Sequence, residues 1–302
     1  TSIMPSFQKI SSDYDFDVQK LPLRGPDSQI IKGLFGTFRE GVSQPLGVVS
    51  DRYKVVNYRD VIGGMDDAIE KASSTNKAMA DVERSVSIIG NGERMRARYR
   101  FPNLIAKVPK VGDEVALVLE ALSSHDRSNR LKFLLGGERL VCTNGQTSIE
   151  KQFSISRLHS NRLDISFIAD AVQKAASKFE ESLKVFGLLA DAMVTQEQGR
   201  TVIKNLGFTK PVREGIETVW NDPTHTEDSE RNLYNVYNAA TLHLTSEAKN
   251  DDGTYKHGLP THRKRYEYAN KVSETLLRKL TKAAKDRTVL HKLIKKPAEQ
   301  PA

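Results

Sequence analysis

Apolar and polar side chains alternate strictly along residues 94–101. The apolar positions of this run are Met95, Ala97, Tyr99 and Phe101, and arginines stand between them. A period of two residues predicts a β-strand with one buried face. The run that precedes it, from Arg84, ends at Asn91-Gly92, a dipeptide typical of tight hairpin turns because both residues tolerate positive φ. The pattern therefore predicts a β-hairpin over residues 84–101.

More strands are predicted after a loop that Pro102 and Pro109 bracket. They cover residues 114–123, 130–135, 138–143 and 147–157. Gly136-Gly137 and Asn144-Gly145 are predicted to form turns between the last three of them, because glycine and asparagine accept the backbone angles of tight turns. Successive antiparallel strands of this kind indicate a meander sheet.

The first 58 residues show a weaker pattern. Prolines and glycines interrupt residues 1–45, which predicts an extended arm with little structure of its own, docked on a neighbouring subunit or on its own domain. Residues 46–58 predict two short strands around Ser50–Arg52. Asn57 is then expected to cap a helix over about residues 59–73.

A helical period replaces the strand period beyond residue 160. Asn161 is a candidate N-cap for a helix of about thirty residues whose apolar face extends from Ile165 to Met193. Other helices are predicted from Thr195 to Leu206, from Pro211 to Trp220, over 230–249 and over 261–295. The predicted fold class is α+β, with an antiparallel meander sheet and one early helix, followed by a mostly helical C-terminal half. The expected parts are an N-terminal arm (1–45), a β-rich nucleic-acid-binding domain (46–160), a helical region (161–260), and a basic amphipathic helix with its tail (261–302).

The arginines of the hairpin suggest a function. Side chains on one strand face repeat about every 6.5 Å, close to the phosphate spacing of an extended single nucleic-acid strand. The predicted phosphate contacts are Arg94, Arg96, Arg98 and Arg100, extended by Lys107, Lys110, Lys132 and Arg139. The alternative is a structural row paired with Glu114, Glu120 or Glu138 of adjacent strands.

The net charge of the 302-residue chain is +8, and it is concentrated at the C-terminal end. Residues 261–302 contain twelve basic and four acidic residues, so the 34 basic and 34 acidic residues elsewhere cancel. A basic segment on a neutral body is typical of proteins that bind polyanions, most often nucleic acid. Further candidate contacts are Arg263, Lys264 and Arg265, followed by Arg278, Lys279, Lys282 and Lys285. A solvated helix that promotes solubility is the alternative.

The sequence offers little support for an enzyme. It contains no Gly-rich loop of the ATP-binding type, no Cys/His spacing suited to zinc, and no motif that calls for a cofactor. His125 and His159 are candidates for acid–base chemistry or a metal site, but isolated histidines in turns are more often structural. Cys142 is expected to be a buried, inert thiol. A lone cysteine, no apolar run of about 20 residues, and no secretory leader pattern together indicate a cytoplasmic protein.

Several segments resemble one protein family. They are the polar turn S-S-H-D-R-S-N after Leu122, the strand ending V-C-T-N-G, the helix motif F-E-E-S-L-K-V-F, and L-Y-N-V-Y-N-A-A-T. The early segment P-L-G-V-V-S-D-R-Y-K-V-V-N belongs to the same set. These segments are similar to the phage/plasmid-like proteins grouped as domain of unknown function 932. The similarity spans roughly residues 45–245 of this chain. The resemblance implies origin in a bacteriophage or mobile element and brings no established reaction. The order of elements is also similar to that of single-strand annealing proteins of the Redβ/RecT type, a likeness at the level of fold.

These observations favour a phage-derived, ATP-independent protein that binds single-stranded DNA without making or breaking bonds. Its expected role is annealing or recombination, as a homo-oligomer in the cytoplasm of a bacterial host. Two alternatives stay open. One is a virion or assembly protein that contacts packaged DNA, and the other is an enzyme of unknown reaction.

Overall fold

The computed structural model describes residues 6–11, 13–128, 131–143, 146–158, 166–223, 226–245 and 262–295. Within these ranges the chain forms nine β-strands and eight α-helices. The strands are β1 (Ser6–Ser11), β2 (Val18–Arg24), β3 (Ile30–Arg39), β4 (Gly47–Val49), β5 (Asp81–Ile89), β6 (Arg94–Lys107), β7 (Glu114–Ser124), β8 (Lys132–Thr143) and β9 (Gln146–Leu158). The helices are α1 (Tyr58–Ser73), α2 (Ser166–Ser182), α3 (Lys184–Asp191), α4 (Gln196–Asn205), α5 (Lys210–Asn221), α6 (Leu233–Thr245), α7 (His262–Lys285) and α8 (Arg287–Ile294).

A six-stranded sheet has the order β1-β5-β6-β7-β8-β9. Strands β5 to β9 are neighbours in chain order, which is the predicted meander, and α1 is the one early helix before it. Strands β5 and β6 are antiparallel, with Glu83 opposite Arg100 and Ile89 opposite Arg94. At one edge the sheet departs from the prediction, because β1 lies parallel to β5. The α+β fold class is confirmed.

The N-terminal segment is more ordered than its sequence pattern predicts. Strands β2 and β3 are antiparallel, and β3 also pairs with β4 to form a separate three-stranded sheet. The prediction of an arm with little structure of its own is therefore wrong for this segment. A turn at Gly25–Ser28, closed by a 3.0 Å hydrogen bond from Ser28 N to Gly25 O, joins β2 to β3. Gly25 and Pro26 lie in this turn, whereas Pro22 lies within β2 and two glycines lie within β3, so these residues do not prevent strand formation.

Three local predictions between residues 46 and 137 are corrected. Only one short strand, β4, forms between Leu46 and Tyr58. Strand β6 continues through Pro102 to Lys107, because the φ angle that proline imposes is compatible with an extended chain. Strand β8 likewise continues through Gly136-Gly137 without a turn, with both glycines buried in the sheet.

The turn of the hairpin also differs from its prediction. Strand β5 ends at Ile89 and β6 begins at Arg94, so the loop has four residues and is not a two-residue turn at Asn91-Gly92. Positive φ occurs at Gly90 (68°) and Gly92 (122°) and not at Asn91. Glycine supplies both of the unusual backbone angles, so the asparagine is not needed for them. The second predicted hairpin turn, residues 144–145, lies outside the described residues.

The helical half follows the predicted pattern, with two interruptions. Thr195 caps α4 through a capping box with Gln198, as its sequence position suggests. The predicted thirty-residue helix is divided at Leu183 into α2 and α3. The predicted C-terminal helix is divided at Asp286, because the side chain of Asp286 accepts a hydrogen bond from Thr288 N at 2.8 Å and begins α8.

The chain forms two compact units. The first contains the described residues of Thr1–Ile105, Ala116–Gly136 and Ser156–Phe179, and the second those of Ala106–Val115, Gly137–Ile155 and Glu180–Ala302. In the first unit, α1 buries Val61, Met65 and Ile69. Among the helices that the structure describes, none is long and apolar enough to cross a lipid bilayer.

Candidate nucleic-acid interface

The arginine row of β6 lies in the first unit and has the predicted alternation. The intervening positions from Met95 to Phe101 are buried, and the arginines on the other face are half-buried. Their exposed side-chain fractions are 22% for Arg94, 23% for Arg96, 16% for Arg98 and 14% for Arg100. The row is thus regular, but most of its surface is already covered by protein.

Each arginine of the row has a carboxylate partner. Glu120 on β7 lies 3.0 Å from Arg96 Nη2 and 3.5 Å from Arg98 Nε. Arg100 Nη1 lies 2.9 Å from Glu83, its cross-strand neighbour on β5, and Arg94 Nε lies 3.4 Å from Asp126. Of these partners, the structural alternative predicted only Glu120, whereas Glu83 and Asp126 are additional to it. A phosphate would have to displace these carboxylates to bind here.

Arg98 is the most strongly perturbed member of the row. Burial lowers its pKa to about 10, and the neighbouring charges of Arg96 and Arg100 act in the same direction. The attraction of Glu120 opposes this shift. The guanidinium therefore depends on Glu120 for compensation, since a buried charge without a partner is costly.

We expect Glu120→Ala to lower the free energy of unfolding by about 2 kcal/mol, because Arg96 and Arg98 would lose their shared carboxylate. This value is smaller than that of a fully buried pair, because both arginines keep part of their surface in water. Urea unfolding followed by circular dichroism measures the change. Glu114→Ala is the matched control, since Glu114 is exposed on the same strand. Equal stabilities of the two variants would contradict the assignment.

The opposite face of the hairpin holds an ion pair that sequence reasoning missed. Arg84 on β5 is buried and pairs with Asp66 of α1. The hydroxyl of Tyr99 also donates to Asp66 at 3.1 Å. The sequence contained a signal for this ion pair, because Arg84 stands between Val82 and Val86 at the strand period. A charged side chain within an apolar strand face needs a buried partner.

The predicted extensions of the row have different environments. Lys132 is half-buried on β8, and Lys107 is exposed at the end of β6 in the second unit. Lys110 pairs with Asp191. Arg139 is 1% exposed and lies between two carboxylates, so it is not a surface group. The expectation that Arg139 contacts nucleic acid from the surface is corrected, because pairing within the second unit buries its charge.

The C-terminal basic surface is the other candidate interface. Arg263, Lys264 and Arg265 lie on α7, but their side chains are outside the described part of the chain. Downstream, every lysine and arginine of residues 278–295 is exposed. They are Arg278, Lys279, Lys282, Lys285, Arg287, Lys292 and Lys295, which we call the basic surface. None of them forms an ion pair with another side chain that the structure describes.

Comparison with known proteins identifies a family. The sequence profile of the family described as Domain of unknown function (DUF932) matches residues 45–292. The chain belongs to this family. The match includes the hairpin, the helical half and most of the basic surface, but not β1, β2 or β3. No curated protein and no solved structure matches the chain of this DUF932 protein.

The histidines and the cysteine of the DUF932 chain were the candidate groups for chemistry. His125 is fully buried in the first unit and stacks on the ring of Tyr58 at 4.2 Å between centroids. Its pKa is lowered by burial to about 4, so its ring is neutral at pH 7. His159 and the side chain of Cys142 lie outside the described residues. Among the residues that the structure describes, no group of three or more His, Cys, Asp or Glu residues could hold a metal ion.

Proposed function

We propose that this DUF932 protein binds single-stranded DNA without ATP and acts in annealing or recombination for a phage or other mobile element. Its DNA contacts are assigned to the basic surface of α7 and α8. The observation that supports this assignment is the exposure of seven cationic side chains within residues 278–295, none of which forms an ion pair with a side chain that the structure describes. The arginines of β6 have a structural role in this proposal, because each already faces a carboxylate.

The charge balance of the basic surface favours a polyanion. Residues 278–295 contain seven basic residues and one acidic residue, a balance of 7 − 1 = +6. The single acidic residue, Asp286, is used to cap α8. Exposed cations that form no ion pair with the described side chains can neutralise phosphates, and the release of condensed counterions then provides much of the binding free energy. Binding through the backbone leaves the bases available for pairing with a second strand.

Charge removal tests the location of the site. The variant Arg278→Gln/Lys282→Gln/Lys285→Gln/Arg287→Gln is expected to bind a fluorescent 30-nucleotide strand at least about tenfold more weakly at 150 mM salt. If all four residues contact phosphates, the magnitude of the slope of log K against log salt concentration should decrease by about 3, because each phosphate contact contributes about 0.7 to it. Fluorescence anisotropy between 50 and 300 mM salt measures both quantities.

A matched control separates position from net charge. Lys32, Arg52, Lys71 and Lys77 are exposed in the first unit, and their replacement by glutamine changes the net charge by the same amount. We expect this control to keep the affinity and the salt slope of the native chain. Equal losses in both variants would contradict the basic surface as the site. Failure of the native chain to bind either single- or double-stranded oligonucleotides at 150 mM salt would overturn the function.

The proposal includes self-association, because annealing requires two bound strands to be held near each other. Exposed apolar side chains of Leu21, Leu34 and Val48 in the three-stranded sheet support it, since a second copy could cover them. Annealing of complementary oligonucleotides without nucleotide tests the activity, and sedimentation analysis with and without DNA tests the assembly. A protein that stays monomeric and does not accelerate annealing would reduce the function to DNA binding alone.

A further inference from the structure

A cavity of about 300 Å³ lies within the second unit, between the α4–α5 connection and α7. Its lining is mostly apolar, and the exposed residues Thr209 and Lys279 form its rim. The lining residues used below are Leu206, Phe208, Thr209, Val272, Leu276 and Lys279. The volume is at the lower limit of the range for small-ligand sites, which suits a group of the size of one nucleobase.

The connection between α4 and α5 forms one wall of the cavity. Helix α4 ends at Asn205 with Leu206 as its C-cap, and Gly207 has a φ of +85°, a backbone angle that glycine adopts without strain. The chain therefore reverses over residues 207–209 before α5 begins at Lys210. Phe208 is half-buried in this reversal, so part of its side chain lines the cavity and part remains in contact with solvent.

Helix α7 forms the other wall and connects the cavity to the basic surface. Val272, Leu276 and Lys279 lie at the spacing of one helix face. The ammonium group of Lys279 donates to Leu206 O at 3.3 Å, which places a positive charge at the rim. Lys282 follows one turn later on the same face of α7. One of the cations assigned above to phosphate binding, Lys279, thus lines the cavity, and a second lies one turn farther along the helix.

We propose that this cavity receives one unstacked base of a single-stranded nucleic acid, with Phe208 as the stacking platform. The inference rests on the proposed function and explains how the site would distinguish a single strand from a duplex. Lys279 and Lys282 bind the phosphates next to the inserted base. Thr209 is the N-cap of α5 but makes no side-chain capping bond, so its hydroxyl is available to the edge of the base. A duplex cannot supply a free base without unpairing.

An abasic strand tests the inference directly. The probes are fluorescent fifteen-nucleotide oligothymidine, a strand of the same length with tetrahydrofuran in place of every base, and a duplex. The native chain is expected to bind oligothymidine at least about tenfold more tightly than the abasic strand, as is typical when bases stack on an aromatic ring. Phe208→Ala and Phe208→Leu should reduce this preference to less than about twofold without changing the salt slope, and Phe208→Trp should retain it.

The outcomes separate the inference from the function on which it rests. If the native chain binds neither strand, both fall together. If it binds the abasic strand as well as oligothymidine, or if Phe208→Ala keeps the preference, the base site is wrong and DNA binding by the basic surface stands. Displacement of the strand by micromolar thymidine monophosphate would identify a free nucleotide as the ligand and overturn the assignment to a strand. Thermal unfolding of each variant shows whether the chain still folds when the half-buried Phe208 is replaced.

Discussion

Replacing Arg139 with alanine is expected to lower the free energy of unfolding by about 3–5 kcal/mol, the cost of removing one partner from a buried ion-pair network. Only 2% of the Arg139 side chain is exposed. Its Nε lies 2.9 Å from Asp113 Oδ2, and its Nη1 lies 2.7 Å from Asp228 Oδ1. Asp113 also accepts a hydrogen bond from the Tyr234 hydroxyl at 2.8 Å. Alanine would leave the buried Asp228 and the largely buried Asp113 without their shared cation.

The charge of Arg139 is stabilised by its surroundings. Burial alone would lower its pKa, but Asp228, Tyr234 and Asp113 outweigh burial, so the pKa of Arg139 is raised. The guanidinium is therefore a structural cation of the second unit and is not available to bind a ligand at the surface.

Guanidinium chloride unfolding of Arg139→Ala, with Lys107→Ala as control, measures this effect. Lys107 was also a predicted DNA contact, but it is exposed, so its removal should change stability by less than about 0.5 kcal/mol. The triple variant Arg139→Met/Asp113→Asn/Asp228→Asn should regain part of the loss, because it removes the uncompensated charges. A loss below about 1 kcal/mol for Arg139→Ala would show that the network does not stabilise the fold.

Stability is expected to decrease by up to about 3 kcal/mol as the pH falls from 6.5 to 4, through the titration of His125 alone. Burial lowers the pKa of this histidine to about 4, and the nearby carboxylate of Asp126 only partly opposes the shift. In the unfolded chain the same group takes up a proton near pH 6.5. Between these two values the unfolded state binds more protons than the folded state, so acid favours unfolding. Below pH 4 both states are protonated, and this contribution no longer changes.

His125→Phe isolates the contribution of His125 from those of the carboxylates that titrate in the same range. Neither ring nitrogen of His125 has a hydrogen-bond partner among the described atoms, and the ring stacks on Tyr58. Phenylalanine keeps the aromatic contact and cannot be protonated. Urea unfolding at pH 4, 5, 6 and 7 should show a flatter pH dependence for the variant, with similar stability at pH 7. Parallel curves for the two proteins would contradict a buried neutral histidine.

The functional predictions separate two basic regions that the amino-acid pattern presents as equivalent. The arginine row has the better spacing for phosphates, whereas the cations of the basic surface form no ion pairs with the side chains that the structure describes. The existing ion pairs decide between the two basic regions, because a guanidinium that already faces a carboxylate gains little by exchanging it for a phosphate. The cavity at Phe208 had no sequence signal, since its two walls are separated by more than sixty residues.

Local pattern alone specified the features that depend on neighbours along the chain. The alternation of β6, the capping box at Thr195 and the change from strand period to helix period near residue 160 all follow from one or two residue spacings. The α+β class follows from the order of these elements. Each such feature is stabilised within one element, so the sequence of that element is sufficient to reveal it.

The tertiary structure decided which charges are compensated and which segments find partners. Glu120 reaches Arg96 and Arg98 only through the pairing of β7 with β6, and Asp228 reaches Arg139 from almost ninety residues away. Strand β1 likewise needs β5 as its partner. Charge compensation and strand pairing act between elements that are distant in the chain. The spacing of the arginines was therefore visible in the sequence, but their availability to a ligand was not.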